Sequence, residues 1–405
     1  MKLNLRIWDR LRLTRGMWIM MALMALGVAS ALYRYAYGIG GISDLSNRYP
    51  WGFWISFDLY CGVALAAGAF TIVAAVEIFG LKEFEPLVRP SVLTGFLGYT
   101  MVVLALLVDL GQPLRIWHLI LYQNHTSILF EVGVCVMLYT TVLAIEFAPI
   151  FLEGIKLSKI ARTIHRYSIP FVILGVVLST LHQSSLGSML LIQPERLHPL
   201  WWTPIIPVMF FVSAAGVGLG MVILESSLSS RTFHHGLEVH LLKKLALANV
   251  TVEALYLVLK FGDLAVAGEL NLLFASGSMS VLFWAEIIIG AVIPILLFSQ
   301  RAVRESPKGL LMGSIFVVVG LMLNRFNASW FGIQRLDPMT YVPSFMGQVN
   351  YFPTLPEVAV SIGVVAAGVL AFSLAVRYLP LFSKEAEESH KVTPGLQQAH
   401  APSGD

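Results

Sequence analysis

Ten apolar runs, each of about twenty residues or more, restrict this chain more than any other feature. They span roughly 16–37, 51–80, 91–111, 126–150, 168–190, 204–227, 244–266, 279–300, 309–329 and 355–379. A helix of about 20 apolar residues is what the hydrocarbon core of a bilayer requires. In that layer every backbone polar group must be paired, and a single run can do that only as a helix. The fold expected is an all-α integral membrane protein of about ten transmembrane helices. Composition agrees: 57% of the 405 residues are hydrophobic and 13% are charged, against about 25% charged in soluble domains. That leaves a lipid bilayer as the surrounding partner and no nucleic-acid surface. The run from Gly16 to about Tyr37 is longer than the apolar region of a signal peptide, so it is read as a retained first helix.

Charge orients the bundle. If the N-terminus is cytoplasmic and the spans alternate, twenty of the 27 Lys and Arg residues fall in cytoplasmic segments. They cluster at Lys2 to Arg15, Lys82 and Arg89, Lys156 to Arg166, Arg231 to Lys244, Arg301 to Lys308, and Arg377 to Lys391. Five fall outside: Arg34, Arg48, Arg115, Arg196 and Arg335. This is a positive-inside distribution, and it places both termini in the cytoplasm. Residues 1–382 form one polytopic membrane domain, and 383–405 read as a disordered polar tail.

A weak internal repeat divides the domain. Ser127-Ile-Leu-Phe-Glu131 opens the fourth run and Ser280-Val-Leu-Phe-Trp-Ala-Glu286 the eighth. Val108-Asp109-Leu-Gly111 closes the third and Phe261-Gly262-Asp263-Leu264 the seventh. The second and sixth both follow Trp-rich loops and carry small residues, Ala64 to Ala69 and Ala214 to Gly220. The expected architecture is two parallel four-helix bundles, spans 2–5 (51–190) and 6–9 (204–329), flanked by span 1 (16–37) and span 10 (355–379).

Charge inside a bilayer is costly and marks a bundle interior or a water path. Asp58, Asp109, Glu131, His182, Lys260, Asp263, Glu286 and Arg325 lie in the outer half of the spans. They suit a polar pocket, with structural pairs such as Asp263–Lys260 as the alternative. At 100° per residue, Glu131, Cys135, Tyr139 and Glu146 share one face of span 4, and Glu253, Tyr256, Lys260 and Asp263 one face of span 7. Tyr99 and Glu225 add polar groups in the inner half. Such stripes fit a proton path or helix-to-helix hydrogen bonding.

Two cysteines, Cys61 and Cys135, cannot hold an iron–sulfur cluster, which takes about four. No metal-ligand spacing is present. Haem b takes two in-span histidines, and His182 alone is well inside a span, leaving a His182–His125 pair as the one haem arrangement. A histidine, carboxylates and the aromatics Trp51, Trp54, Tyr60 and Tyr122 gather at one membrane face. That set suits a quinone, whose ring needs an apolar slot and whose reduction needs proton donors of tunable pKa.

Tyr49-Pro50-Trp51-Gly52-Phe53-Trp54-Ile55-Ser56-Phe57-Asp58, Leu87-Val88-Arg89-Pro90, Leu129-Phe130-Glu131, Glu146-Phe147-Ala148-Pro149, Leu181-His182-Gln183-Ser184-Ser185-Leu186-Gly187-Ser188 and Leu197-His198-Pro199-Leu200-Trp201 closely resemble the HybB-type membrane subunit of nickel–iron hydrogenases, within the NrfD/PsrC superfamily. The resemblance covers roughly residues 34–382. It implies a haem-free, multi-pass subunit of the bacterial inner membrane. Such a subunit exchanges electrons between menaquinone or ubiquinone and a periplasmic ferredoxin-like iron–sulfur subunit. The nickel–iron small and large subunits would complete the oxidoreductase, with the active site near the periplasmic face. The quinone site expected comprises His182, Asp58, Glu131, Ser185, Trp54 and Asp109. The proton path expected comprises Tyr99, Glu146, Glu225, Tyr139, Glu253 and Lys260. The competing readings are another NrfD/PsrC-type complex, a proton-coupled transporter, a haem anchor and a purely structural anchor.

Overall fold

The computed structural model describes residues 13–46, 49, 51–194, 196–233, 236–334 and 351–381. The tail from 383, the basic residues Lys2 to Arg12, and Arg48 and Arg335 lie outside them. The described chain is helical, and nine of its helices are long and apolar enough to cross a membrane. In chain order the principal helices are α1 (Arg15–Tyr37), α2 (Trp54–Ile78), α3 (Glu85–Asp109), α4 (Ile128–Gly154), α5 (Ile169–Leu191), α6 (Ile206–Phe233), α7 (Val239–Ala267), α8 (Ser278–Ser299), α9 (Pro307–Phe331) and α10 (Leu355–Tyr378). The tenth expected span is α7, which carries Glu253, Lys260 and Asp263 and is not one of the nine. Its 29 residues rise about 44 Å, enough to match its neighbours.

The helix ends follow local sequence. The side chains of Ser127 and Ser306 accept from Phe130 N and Gly309 N, 3.4 Å each, and so start α4 and α9. Thr354-Leu-Pro-Glu357 forms a reciprocal capping box at α10. Gly268, at φ +74°, closes α7 in the left-handed conformation. Pro294 has no N–H and would crowd the carbonyl four residues back, and the preceding turns, Ile288–Val292, widen to π geometry. α2 is π-helical at Trp54–Cys61 and Ala74–Ile78, the first of these segments carrying Asp58.

Small residues set the closest contacts. The stretches Ala64–Ala69 and Ala214–Gly220 meet each other: a Cβ on Gly218 would lie 3.0 Å from the Ala67 carbonyl carbon. A Cβ on Gly363 of α10 would lie 2.7 Å from Gly27 Cα of α1. Lipid gives apolar surfaces no reason to leave it, so close backbone approach supplies the packing energy between such helices. α6 is central, packing on α2, α5, α7 and α9, while α10 packs on α1 and α3. Arg34, expected in a loop, is buried in the last turn of α1 and donates to the Leu110 carbonyl. Below, the "Trp51 face" is the end of the bundle where α2 begins, and the "Lys82 face" is the end where it turns into α3.

Candidate functional site

A cavity of about 470 Å³ lies between α2, α3, α6 and α10. It runs from Phe57 and Asp58, near the Trp51 face, to Thr232 and Phe233 at the end of α6. Leu97, Met101, Val102, Leu224, Val365 and Phe372 make its walls apolar. Two carboxylates break that lining, Asp58 and Glu225. Thr94 donates to Glu225 at 2.7 Å.

Asp58 is buried where α2 meets α10, and accepts a hydrogen bond from Ser361 at 2.7 Å. Trp54, one turn earlier, donates to the Glu357 carbonyl at 3.0 Å. The Glu357 carboxylate is itself held by the Tyr351 hydroxyl and by Thr354 N, each at 2.8 Å. Burial raises the Tyr351 phenol above its ordinary value, so it stays a donor. It also accepts from Phe53 N at 2.7 Å. Asp109 ends α3 within electrostatic reach of Arg34 and Glu357. Two of the sequence-proposed residues, Asp58 and Trp54, are thus joined through α10.

His182 is elsewhere. It is fully enclosed, does not line the cavity, and has no hydrogen-bond partner at either ring nitrogen among the described residues. Its ring meets Tyr99 edge-on, centroids 5.6 Å apart, and Tyr99 meets Tyr139 the same way at 4.6 Å. Ser179 faces both phenols. Glu146 and Tyr139 flank Gly175: a Cβ there would lie 3.2 Å from Glu146 Oε1 and 3.7 Å from the Tyr139 ring. Glu146 in turn lines a second cavity of about 340 Å³ at the Lys82 face, with Glu77, Arg89, Glu153 and Arg162. Four residues from three helices therefore form a file from that cavity to His182. Glu131 is in the first turn of α4, exposed, rather than deep in the span; it takes the Ser185 hydroxyl, which also contacts the Leu181 carbonyl.

A third group fills the space between α6 and α9. Glu286 accepts from Trp201 Nε1 (2.8 Å), Asn327 (2.8 Å), Asn324 (2.7 Å) and the Tyr256 hydroxyl (3.2 Å). Arg325 donates to Asn324 (2.5 Å), Ser213 (2.9 Å) and the Phe210 carbonyl (3.2 Å), and lies over the Phe210 ring. Lys260 turns to the Leu200 carbonyl at 2.7 Å, while Asp263 takes the Thr203 hydroxyl at 2.6 Å. The Asp263–Lys260 pair, the alternative to a polar pocket, gives way to these bonds, because each finds a partner on the Leu200–Thr203 turn. Glu253 lines a cavity of about 30 Å³ beside Glu286, room for about one water.

The eight charges of the outer half therefore do not converge on one pocket. Ser361, Glu357 and Thr94 are polar partners that sequence reasoning missed. Thr354 to Glu357 carries a readable capping signature; nothing in the spacing of Ser361 or Thr94 points to the carboxylates they meet. Among the described residues, no group of three or more His, Cys, Asp or Glu is placed to hold a metal ion.

Comparison with known proteins places these features in a family. Residues 41–334 match the model of the family described as polysulphide reductase, NrfD. A protein of Nitratidesulfovibrio vulgaris is 38% identical over 91% of this chain and 95% of its own. The probable Ni/Fe-hydrogenase 2 b-type cytochrome subunit of Escherichia coli is 31% identical over 88% of this chain and 90% of its own. The integral membrane subunit of menaquinone reductase from Nitratidesulfovibrio vulgaris is 31% identical over 90% of this chain and 91% of its own. With its multiple apolar helices and a match across most of its length, this chain belongs to the NrfD family of membrane proteins.

Proposed function

We propose that this protein is the quinone-reactive membrane subunit of a multi-subunit respiratory oxidoreductase, and that the cavity between α2, α3, α6 and α10 is its quinone slot. The observation that carries the reading is the combination in that cavity: a long apolar lining suited to ring and isoprenoid tail, with the Asp58 carboxyl at the end nearest the Trp51 face. Reduction of a quinone takes two electrons and two protons. A carboxyl at hydrogen-bond range of a quinone oxygen can supply one of those protons, and an apolar wall excludes competing water. The electrons come from an iron–sulfur partner at the same face, since this chain has too few cysteines to ligate a cluster.

The names of the relatives sharpen the substrate and the partner. One is a menaquinone reductase subunit and one a nickel–iron hydrogenase subunit, which favours menaquinone and a hydrogenase over the other complexes of the family. The hydrogenase relative is named a b-type cytochrome subunit. The residues here do not fit a haem: His182, the one described histidine in a span interior, is packed against Tyr99, and His125 is exposed on a loop against Phe130. The positive-inside distribution supports cytoplasmic termini and a periplasmic Trp51 face. Two parallel four-helix bundles, α2–α5 and α6–α9, remain the proposed plan, with 1–382 as one membrane domain.

Protons would approach the site along Glu146, Tyr139, Tyr99 and His182, the file that starts at the 340 Å³ cavity and ends against α3, whose Gly98 and Val102 line the slot. Glu225, inside the quinone slot, and the Glu253–Lys260 stripe are the other stations proposed. Glu131, Ser185 and Asp109 complete the set at the Trp51 face. The test is Asp58→Asn in the purified complex. Quinone-linked turnover should fall by roughly one hundredfold or more, the usual worth of a positioned acid, while reduction of a soluble dye by the partner subunits persists. Undiminished quinone turnover would remove Asp58 from the site.

A further inference from the structure

The family match ends at residue 334, yet the cavity does not. α10 lies wholly beyond that boundary and supplies one of the four walls, through Val364, Val365, Gly368, Val369 and Phe372. It also supplies a hydrogen bond to the cavity's outer carboxylate, Ser361 Oγ to Asp58 Oδ2 at 2.7 Å. Both groups are almost completely enclosed. The register of α10 is fixed independently of that bond. Its N-terminus is held by the capping box, by Tyr351 bridging Phe53 N and Glu357, and by Trp54 on the Glu357 carbonyl. Ser361 comes one turn after Glu357, so this clamp sets where its hydroxyl points. On its other face α10 rests on α1 through Gly27 and Gly363.

We propose that α10 is the quinone-selecting wall of the slot, and that Ser361 is a positioning residue that holds the Asp58 carboxyl toward the quinone ring. The inference rests on the proposed quinone reading of this cavity. The bond orients one carboxylate oxygen toward α10, which leaves the other for the cavity that Asp58 lines. Substrates differing only in the ring's substituents meet α2 and α3 alike. A tail that runs on from the ring must pass Val365 and Val369, one and two turns beyond Ser361, whereas a short tail ends before them.

The test uses the intact complex and three variants, with menaquinone and ubiquinone analogues of equal tail length, each in a short-tail and a long-tail form. Ser361→Ala should lower kcat/KM for quinone about tenfold, the scale of one lost buried hydrogen bond, with kcat falling as well because the displaced Asp58 carboxyl is the proton donor, and Ser361→Thr should restore it. Val365→Trp should block long-tailed quinones more than short-tailed ones. Partner activity with a soluble dye reports assembly throughout. If Val365→Trp leaves every quinone unaffected in assembled complex, the cavity is not the slot and both readings fall. If it blocks quinone but Ser361→Ala leaves kcat/KM unchanged, or Thr fails to restore it, only the positioning role is overturned. Equal loss for short and long tails would overturn α10 as the selecting wall.

Discussion

Within α3–α5, His182 keeps both ring nitrogens without a hydrogen-bond partner among the described residues, beside Tyr99, Tyr139 and Ser179, whereas within α6–α9 Glu286 takes hydrogen bonds from four side chains. Both regions are buried, and in a low-dielectric interior an unmatched polar atom is expensive while a matched network is rigid. The α6–α9 group is largely closed: most of its donors and acceptors answer one another, with Arg325 Nε and Asn327 Oδ1 as exceptions among the described residues, and the spaces beside it hold no more than about a water each. The α3–α5 file is open-ended, reaching a 340 Å³ cavity at Glu146. A region that tolerates unmatched groups beside a solvent-sized opening suits moving protons. A region in which one carboxylate gathers four side chains suits holding helices. The carboxylates of the weak repeat show the same split, since Glu131 is exposed at a helix start and Glu286 is enclosed.

The largest effect should come from the closed region. Glu286→Ala would leave Trp201 Nε1 and the Tyr256 hydroxyl without their acceptor, cost Asn324 and Asn327 one bond each, and remove a carboxylate that faces Arg325 and Lys260, a loss of about 3–5 kcal/mol for a broken buried charge network. Thermal unfolding in detergent should show it as a protein that barely accumulates. A variant as stable as the parent but without turnover would reverse the assignment and make this region catalytic.

His182→Ala tests the open file. No partner is orphaned by the change, so stability should fall only within the ordinary range for a single substitution, about 0.5–3 kcal/mol. Quinone-linked turnover should nevertheless be abolished or drop by one to two orders of magnitude, with dye activity intact. Normal turnover would show that His182 only fills space between α3 and α5.

Glu146→Gln should slow turnover about tenfold, toward the lower end of what proton-transfer groups contribute, without altering quinone KM, because Glu146 faces the Lys82-side cavity and not the slot. Stopped-flow quinone reduction at several pH values separates the two constants. An unchanged rate would send the proton route through Glu225 or the opposite face.

The smallest effect is expected at the Lys244–Glu83 pair, which joins α7 to the α2–α3 turn across the two regions. Both side chains are about half exposed, so Lys244→Ala should cost about 0–1 kcal/mol. A shift in melting temperature larger than that of His182→Ala would mean the regions are coupled through this turn.

Much of this was legible without coordinates. The apolar run lengths implied an all-helical membrane protein, because a bilayer accepts little else. Helical periodicity put Tyr139 and Glu146 on one face of α4 and Glu253, Tyr256 and Lys260 on one face of α7, and those faces are the ones that meet neighbouring helices. The motif order, Trp51 to Trp201, pointed to the NrfD family. What periodicity could not supply was which face of one helix meets which face of another. That depends on where glycines let backbones close, as at Gly68–Gly218 and Gly27–Gly363, and on π turns that rotate the side chains following them, as at Trp54–Cys61. Those contacts decided that Asp58 meets Ser361 instead of His182, that Lys260 turns to Leu200 instead of Asp263, and that eight charges at similar depth form separate groups. Depth along a helix is a property of sequence; rotation about its axis and the choice of neighbour are properties of the packed bundle.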